Sequence, residues 1–453
     1  MTRINLLGVI ALVLPAALTP LGALAANDGR DAKSATDADV EESSASTPKP
    51  RARRAAPALR FGVDNVLAEF GAVTGHSTVN NAWTLRAAPY ALWQPDRAWE
   101  LRLGVMADGQ GQTGSPEYTR WRGDLADTYV RWRSGDTRLT AGAQTILWGR
   151  VDGVPVIDRV SRVDLSRLLL DDLPDRRRAQ WALRWEQNWD ELKLDVVVLP
   201  AFVGAKLPQT ESIWSPLNRS TGRVFGVAAS PQLASLVQNA LVRQDDGGYG
   251  GAALRLTRTG DPIDFGFTLG RTRQSLPYYE ANFLTATMTA VHPFVNFVGI
   301  DGEVVWAGAT WRTELALSRG VPMTSMSASR VDAKVTEWVG AVEFFPGGKS
   351  TRVNLQLVAR NSKANEPVLE LRRYLGVNGE VETTFAQASW KLALQFASGL
   401  NVHDLYLGPR LTYVGWEPHE IYLAVHQFKG NERTLGGFYD KQDFVALGWR
   451  TRF

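Results

Sequence analysis

Thr351-Arg352-Val353-Asn354-Leu355-Gln356-Leu357-Val358-Ala359-Arg360 alternates along its length. Val353, Leu355, Leu357 and Ala359 fall on one side of an extended chain, and Arg352, Asn354, Gln356, Val358 and Arg360 on the other. A period of two is the mark of a strand with one face in an apolar medium. The pattern recurs in Trp99-Leu101-Leu103-Val105 against Glu100-Arg102-Gly104-Met106, and in Trp181-Leu183-Trp185 against Ala182-Arg184-Glu186. It recurs again in Leu192-Leu194-Val196-Val198 against Lys193-Asp195, and in Leu405-Leu407-Pro409-Leu411-Tyr413 against Tyr406-Gly408-Arg410-Thr412. Soluble sandwiches and transmembrane barrels both alternate in this way.

Connection lengths separate the two, because transmembrane barrels join strands by short turns on one side and longer loops on the other. Short links are read at Gln94-Pro95-Asp96-Arg97, Ser134-Gly135-Asp136, Asn188-Trp189-Asp190, Thr259-Gly260-Asp261-Pro262 and Pro346-Gly347-Gly348-Lys349. Long ones are expected at 108–123, 148–179, 200–248 and 273–289, in strict alternation with the short. With an upward strand at 59–72 and a downward strand at the C-terminus, parity calls for a strand at 366–375 before 383–396, 404–414, 419–428 and 443–453. The expected fold is therefore all-β: a transmembrane antiparallel barrel of about 18 strands, with 16 as the alternative, within the even-numbered bacterial range.

The 453 residues include no cysteine, which removes disulfides, thiol catalysis and iron–sulfur clusters. A net charge of +3 over this length does not suggest nucleic acid as a partner. The 16 Trp, 17 Phe and 11 Tyr suit a chain that meets a lipid–water interface. Arg3 is the only charge before Asn27, an apolar stretch follows from Leu6 to Ala17, and Ala23-Leu24-Ala25 has cleavage-site spacing. Residues 1–25 thus read as a signal peptide, 26–58 as a disordered periplasmic leader, and 59–453 as a single barrel domain.

The chain ends Val445-Ala446-Leu447-Gly448-Trp449-Arg450-Thr451-Arg452-Phe453. A last strand closing on Phe453 resembles the assembly signal of Gram-negative outer-membrane barrels. The resemblance implies residence in the bacterial outer membrane, contact with its lipid, and recognition of this strand by the barrel-assembly machinery. A narrower resemblance lies in Ile146-Leu147-Trp148-Gly149-Arg150-Val151-Asp152-Gly153, followed by Ile157-Asp158 and Val163-Asp164-Leu165. It is similar to the third-loop region of a poorly characterised proteobacterial porin-like group, which carries no function that can be transferred.

If the apolar faces meet lipid, Arg102, Arg131, Arg133, Arg184, Lys193, Arg312, Arg352, Arg360, Arg410, Arg450 and Arg452 line the pore. Glu100, Glu186, Asp195 and Glu314 share that face, so eleven bases stand against four acids. Such a surplus raises the local concentration of anions. The long connection after Trp148, with a helical pattern around Val163–Leu170, is the expected constriction loop. It offers Asp158, Arg159, Arg162, Asp164, Arg167, Asp171 and Asp172, which would set a transverse field if the loop folds inward. A second helix is expected over Ser230–Leu241, with Ser230 as N-cap, Pro231 in the first turn and Leu233, Leu236, Val237 and Leu241 on one side.

His76, His292, His403, His419 and His426 form no visible cluster, and no metalloprotease, phosphate-loop, hydrolase or dinucleotide motif occurs. The expectation is a non-enzyme without cofactor or metal: a channel for passive diffusion of small polar or anionic solutes, with mild anion preference. An export or uptake channel for an acidic polysaccharide is the alternative, and a barrel-embedded hydrolase a remote one. Trimers are common among porins of this size, so a homotrimer fits.

Overall fold

In the computed structural model, residues 58–452 are described except 76, 154, 169, 226–230, 246, 349 and 432, as are the side chains apart from 231–233 and 452. The signal peptide, the leader through residue 57, the N-cap Ser230 and the terminal Phe453 lie outside the described residues. Ala58, assigned to the leader from sequence, opens the first strand.

Eighteen antiparallel strands form one closed wall. In chain order they are β1 (Ala58–Val73), β2 (Val79–Gln94), β3 (Trp99–Gly114) and β4, which is interrupted into Tyr118–Leu125 and Thr128–Ser134. Then follow β5 (Thr137–Gln144), β6 (Gln180–Trp189), β7 (Leu192–Leu199), β8 (Gly251–Arg258), β9 (Asp264–Arg273) and β10 (Phe294–Trp306). The rest are β11 (Ala309–Thr324), β12 (Arg330–Phe344), β13 (Thr351–Lys363), β14 (Arg373–Phe385), β15 (Trp390–Gly399), β16 (Asp404–Trp416), β17 (His419–Gly430) and β18 (Phe444–Arg452). Pairing of β18 with β1, from Asn65↔Arg452 to Val73↔Phe444, closes the ring and leaves no seam there.

The exterior is the face that the alternation assigns to lipid. Leu357, Leu392, Leu394, Leu423 and Leu447 are exposed, while their inward neighbours Gln356, Val358, Ala393, Gln395, Ala424 and Ala446 are buried. Trp93, Trp99, Trp189, Trp306, Trp311, Phe385 and Trp416 stand exposed beside the short turns. They form a girdle at one rim, where amphipathic rings sit at the lipid–water boundary. Strands β5 to β9 have only 8 or 10 residues, close to the ~9–11 that a tilted strand needs to cross a bilayer. β1, β2, β3 and β11 have 16 and rise beyond it.

Three expectations about connections are corrected. Residues 108–123 are mostly strand, with only 115–117 between β3 and β4. The glycines that suggested a loop serve packing instead, since a Cβ on Gly109 would come within 2.5 Å of the Trp121 ring and one on Gly111 within 2.6 Å of Trp83. The outer connections 325–329 and 400–403 are as short as the turns, so the strict alternation of lengths does not hold. The strand expected at 366–375 is β14 at Arg373–Phe385, and 383–396 contains a turn. That turn uses Ala386, Gln387 and Ala388 at positive φ, with none of the Gly or Pro that would mark it in sequence.

The long connections end near their expected places. Residues 200–250 carry α1 (Pro231–Asn239), so Leu241 begins a short strand instead of ending the helix. Residues 274–293 hold a hairpin of Tyr278–Asn282 with Thr287–Val291, to which Leu241–Gln244 adds in parallel. Leu236 and Val237 of α1 join Trp214, Phe225, Leu276, Tyr279, Phe438, Tyr439 and Phe444 in an apolar cluster that fills the outer mouth.

Candidate permeation site and inward loop

Residues 145–179, between β5 and β6, fold into the lumen and cross it. Two apolar footholds draw the first limb inward. Ile146, Trp148 and Val160 pack with Ala182, Val197, Leu199, Ala253 and Phe297. Val151, Val156 and Ile157 pack with Ala316, Val339, Ala341 and Val358. These small apolar residues occupy lumen-facing positions, as Val358 does in the otherwise polar series of β13, and that break in polarity is the sequence signal for a loop lying on the wall.

The Trp148–Gly153 motif is the anchor. Trp148 Nε1 donates to Asp195 at 2.9 Å, and Arg150 reaches Asp301 at 2.7 Å and Asp264 at 3.2 Å. Glu314, buried and without a cationic partner among the described residues, accepts from the backbone N–H groups of Arg150 (2.6 Å), Val151 (3.0 Å) and Ile157 (3.4 Å). A Cβ on Gly153 would lie 1.9 Å from Gln356 Oε1, so glycine lets the backbone pass β13 without displacing the Gln356 amide.

The return limb carries the expected constriction residues. Among the described residues of 163–170 there is no helix; Arg162–Val163 pair with Arg177–Arg178 as a short ladder, and a 3-10 turn lies at Pro174–Arg176. Asp158 pairs with Arg177 at 3.1 Å, Arg159 with Glu337 of β12, and Arg162 with Asp124 at 2.8 Å. Arg167 pairs with Glu69 of β1 and with Asp171 at 2.5 Å. Asp172 reaches the far wall at Arg410 (3.2 Å) and Arg450 (2.5 Å). Asp164 accepts from Arg178 at 2.5 Å, with Arg86 at 3.7 Å and Lys206 at 3.8 Å. Burial opposes its ionisation, yet the charges of Arg178, Lys206 and Arg86 hold its carboxyl well below the usual range. Burial, with Arg177 beside it, pushes the Arg176 guanidinium down to about 9.

The wall arginines read from sequence are brought to the lumen side, each with an acid in most cases. Arg102 pairs with Asp64 and covers the Tyr90 ring at 3.9 Å. Arg131 and Arg133 share Glu100 at 2.6 and 3.3 Å, and Arg184 meets Asp195 at 2.6 Å. Arg312 lies between Glu303 and Glu343, both at 2.7 Å, and Arg352 shares Glu343. Arg450 also pairs with Glu420. Arg360 is buried beside Glu337 with no hydrogen bond to any of its three guanidinium nitrogens. The Arg452 side chain lies outside the described residues.

The surplus of eleven bases over four acids is corrected by acids that the sequence reading left out. Asp64, Glu69, Asp108, Asp301, Glu303, Glu337, Glu343 and Glu420 are each ion-paired to a lumen base. They sit on strands whose alternation is interrupted by bulges, such as Val63/Val66 in β1, or by inward alanines and valines. Also missed is Asp108, which binds Arg86 at 2.8 Å, Arg178 at 2.9 Å and Lys206 at 2.6 Å.

A closed wall, a lipid-facing exterior with an aromatic rim, and a charged loop folded across the bore are now in place. This is the architecture of a porin-like outer-membrane β-barrel. No family model matches the chain, and no curated protein does. Among solved structures, Pseudomonas aeruginosa OccK5 (OpdH) is 9% identical over 86% of this chain and 97% of that chain, with a TM-score of 0.49. Pseudomonas aeruginosa OccD3 (OpdP) is 10% identical over 86% and 91%, at 0.48. OmpT, an outer membrane protein of Vibrio cholerae, is 11% identical over 89% and 99%, at 0.43.

Among the described residues no three His, Cys, Asp or Glu are grouped as for a metal ion. His426 Nδ1 lies 2.9 Å from the Tyr406 hydroxyl, and His292 Nδ1 lies 2.8 Å from the Gln274 carbonyl oxygen. His76 lies outside the described residues.

Proposed function

We propose that this barrel passes small hydrophilic solutes passively across the outer membrane, with a mild preference for anions, and that residues 145–179 set its narrowest point. The observation that carries the reading is the layering of charge below the loop. Arg133, Arg138 and Lys193 keep 43, 41 and 39% of their side chains exposed, while their acids Glu100 and Glu186 keep 11 and 4%. The cations therefore face the bore and the carboxylates lie behind them, so a passing solute meets positive charge first. Other pairs have the reverse order, among them Arg102–Asp64 at 15 and 41%, Arg312–Glu303 at 16 and 27% and Arg450–Glu420 at 10 and 29%, which keeps the preference mild.

The test is single-channel recording in planar bilayers. Wild type should conduct, its reversal potential in a salt gradient should report anion preference, and Arg133→Glu with Arg138→Glu and Lys193→Glu should move it towards cations. Removal of 160–176 should raise the conductance. A wild-type barrel that carries no current, or an unchanged conductance after the deletion, would defeat the reading.

A further inference from the structure

The wall has one step, and it lies at β4. The first piece of β4, Tyr118–Leu125, pairs with β3 from Gln112↔Tyr118 to Val105↔Leu125. Only the second piece pairs with β5, which ends at Gln144 opposite the start of that piece. Among the described residues no strand pairs with the other edge of Tyr118–Leu125. Beside this edge, between it and residues 203–210, opens a cavity of about 650 Å³.

Charge in the cavity is out of balance for a local reason. Arg120, Arg122 and Asp124 alternate on the cavity side of β4, while Trp121 between them points outward and is 64% exposed. Arg122 lies directly across from Asp108 in the β3–β4 register. That carboxylate is already taken by Arg86, Arg178 and Lys206, and Asp124 by Arg162. Arg122 consequently makes no ion pair among the described residues, and Arg120 donates only to the neutral amide of Gln209. Two guanidinium groups two residues apart, without carboxylates, therefore face a cavity large enough for a sugar-sized group.

We infer that this step is a binding site for a phosphoryl group, held between Arg120 and Arg122. A phosphate dianion takes parallel N–H···O bonds from more than one guanidinium, and the unpaired edge of β4 places further backbone donors beside it. The site lies on the part of β4 that rises beyond the end of β5, above the outer rim of the short strands β5 and β6, with Trp121 exposed on the outward face. The unpaired edge leaves the site open sideways and above, so the phosphoryl group of an outer-leaflet glycolipid or a soluble phosphate can reach it.

The experiment uses the full-length barrel in phosphatidylcholine nanodiscs doped with diphosphorylated or dephosphorylated lipid A, with retained lipid read by native mass spectrometry. A second arm adds inorganic pyrophosphate and follows the melting temperature. Wild type should retain the diphosphorylated lipid over the dephosphorylated one, or be stabilised by pyrophosphate. The Arg120→Gln/Arg122→Gln variant should lose about tenfold in either affinity, the scale of losing charge-assisted hydrogen bonds. Arg330→Gln, at the outer end of β12 and paired to Asp332, should behave as wild type. Response to the lipid alone assigns the site to the leaflet, and response to pyrophosphate alone to a soluble anion. Heat-modifiable migration on gels checks that the variant barrel is closed. If a closed double variant binds both probes as wild type does, or wild type binds neither, the inference is overturned.

Discussion

Two sides of the same lumen are built on opposite terms. Against β1 to β3, the return limb of the inward loop meets a dense ion-pair network: Asp108 with three cations, Asp164 with Arg178, Lys206 and Arg86, and Glu69 with Arg167. Against β13 to β16, Gln356 Oε1, all three guanidinium nitrogens of Arg360, both amide atoms of Asn378 and Thr412 Oγ1 are buried with no hydrogen-bond partner among the described residues. Gln356 and Asn378 face one another in register and form a polar seam between β13 and β14. A buried polar atom left bare costs about 1–3 kcal/mol, so the second side is the costlier one to keep dry, while protein charges satisfy most of the first. The loop is ion-paired to both sides, on the second through Asp172 to Arg410, and there it also borders the polar seam.

The sharpest break of this contrast is Asp108→Ala. It leaves Arg86, Arg178 and Lys206 to share Asp164, with Asp171 also on Arg86, in a buried site, and losing one member of a buried network costs about 3–5 kcal/mol. Denaturant unfolding in detergent should show that loss, and a change below about 1 kcal/mol would mean that solvent already screens the network. Next in size is the acid response of the same side. The folded-state pKa of Asp164 is depressed, so its stabilisation is present above the unfolded value near ~3.9 and disappears as pH falls through the lower folded value. The unfolding midpoint attributable to Asp164, taken as wild type minus Asp164→Asn, should stay flat from neutral pH to about 5 and fall only in stronger acid. Loss already near neutrality would contradict the pairing. Smallest is Asn378→Leu in the polar seam, which removes two unpartnered atoms and should change stability by no more than about 1 kcal/mol. The same measurement on Asp108→Ala supplies the contrast, and equal effects would erase the distinction between the two sides.

Legibility in the sequence follows the same physics. Val353, Leu355 and Leu357 could be assigned to lipid because a strand reverses its face at every residue and the bilayer tolerates no charge on one of them. Parity then recovered the count of eighteen although β14 was misplaced, since β1 begins and β18 ends on the same rim. The turn at Ala386–Ser389 was invisible because its left-handed residues are alanine and glutamine. The charge surplus was misread because pairing is between strands distant in sequence: Asp172 and Arg450 are 278 residues apart, and Asp64 lies beyond a bulge.

What the chain determined by itself is the barrel: its alternation, aromatic rim and closing strand are local properties, each readable within some ten residues. What only the tertiary structure decided is the inside. Whether Trp148–Gly153 folds inward depends on small apolar positions of β11, β12 and β13 meeting it, and whether an arginine is neutralised or free depends on which carboxylate its neighbours have already taken. Arg122 shows the reason most plainly, because its lack of a carboxylate follows from three other cations reaching Asp108 first.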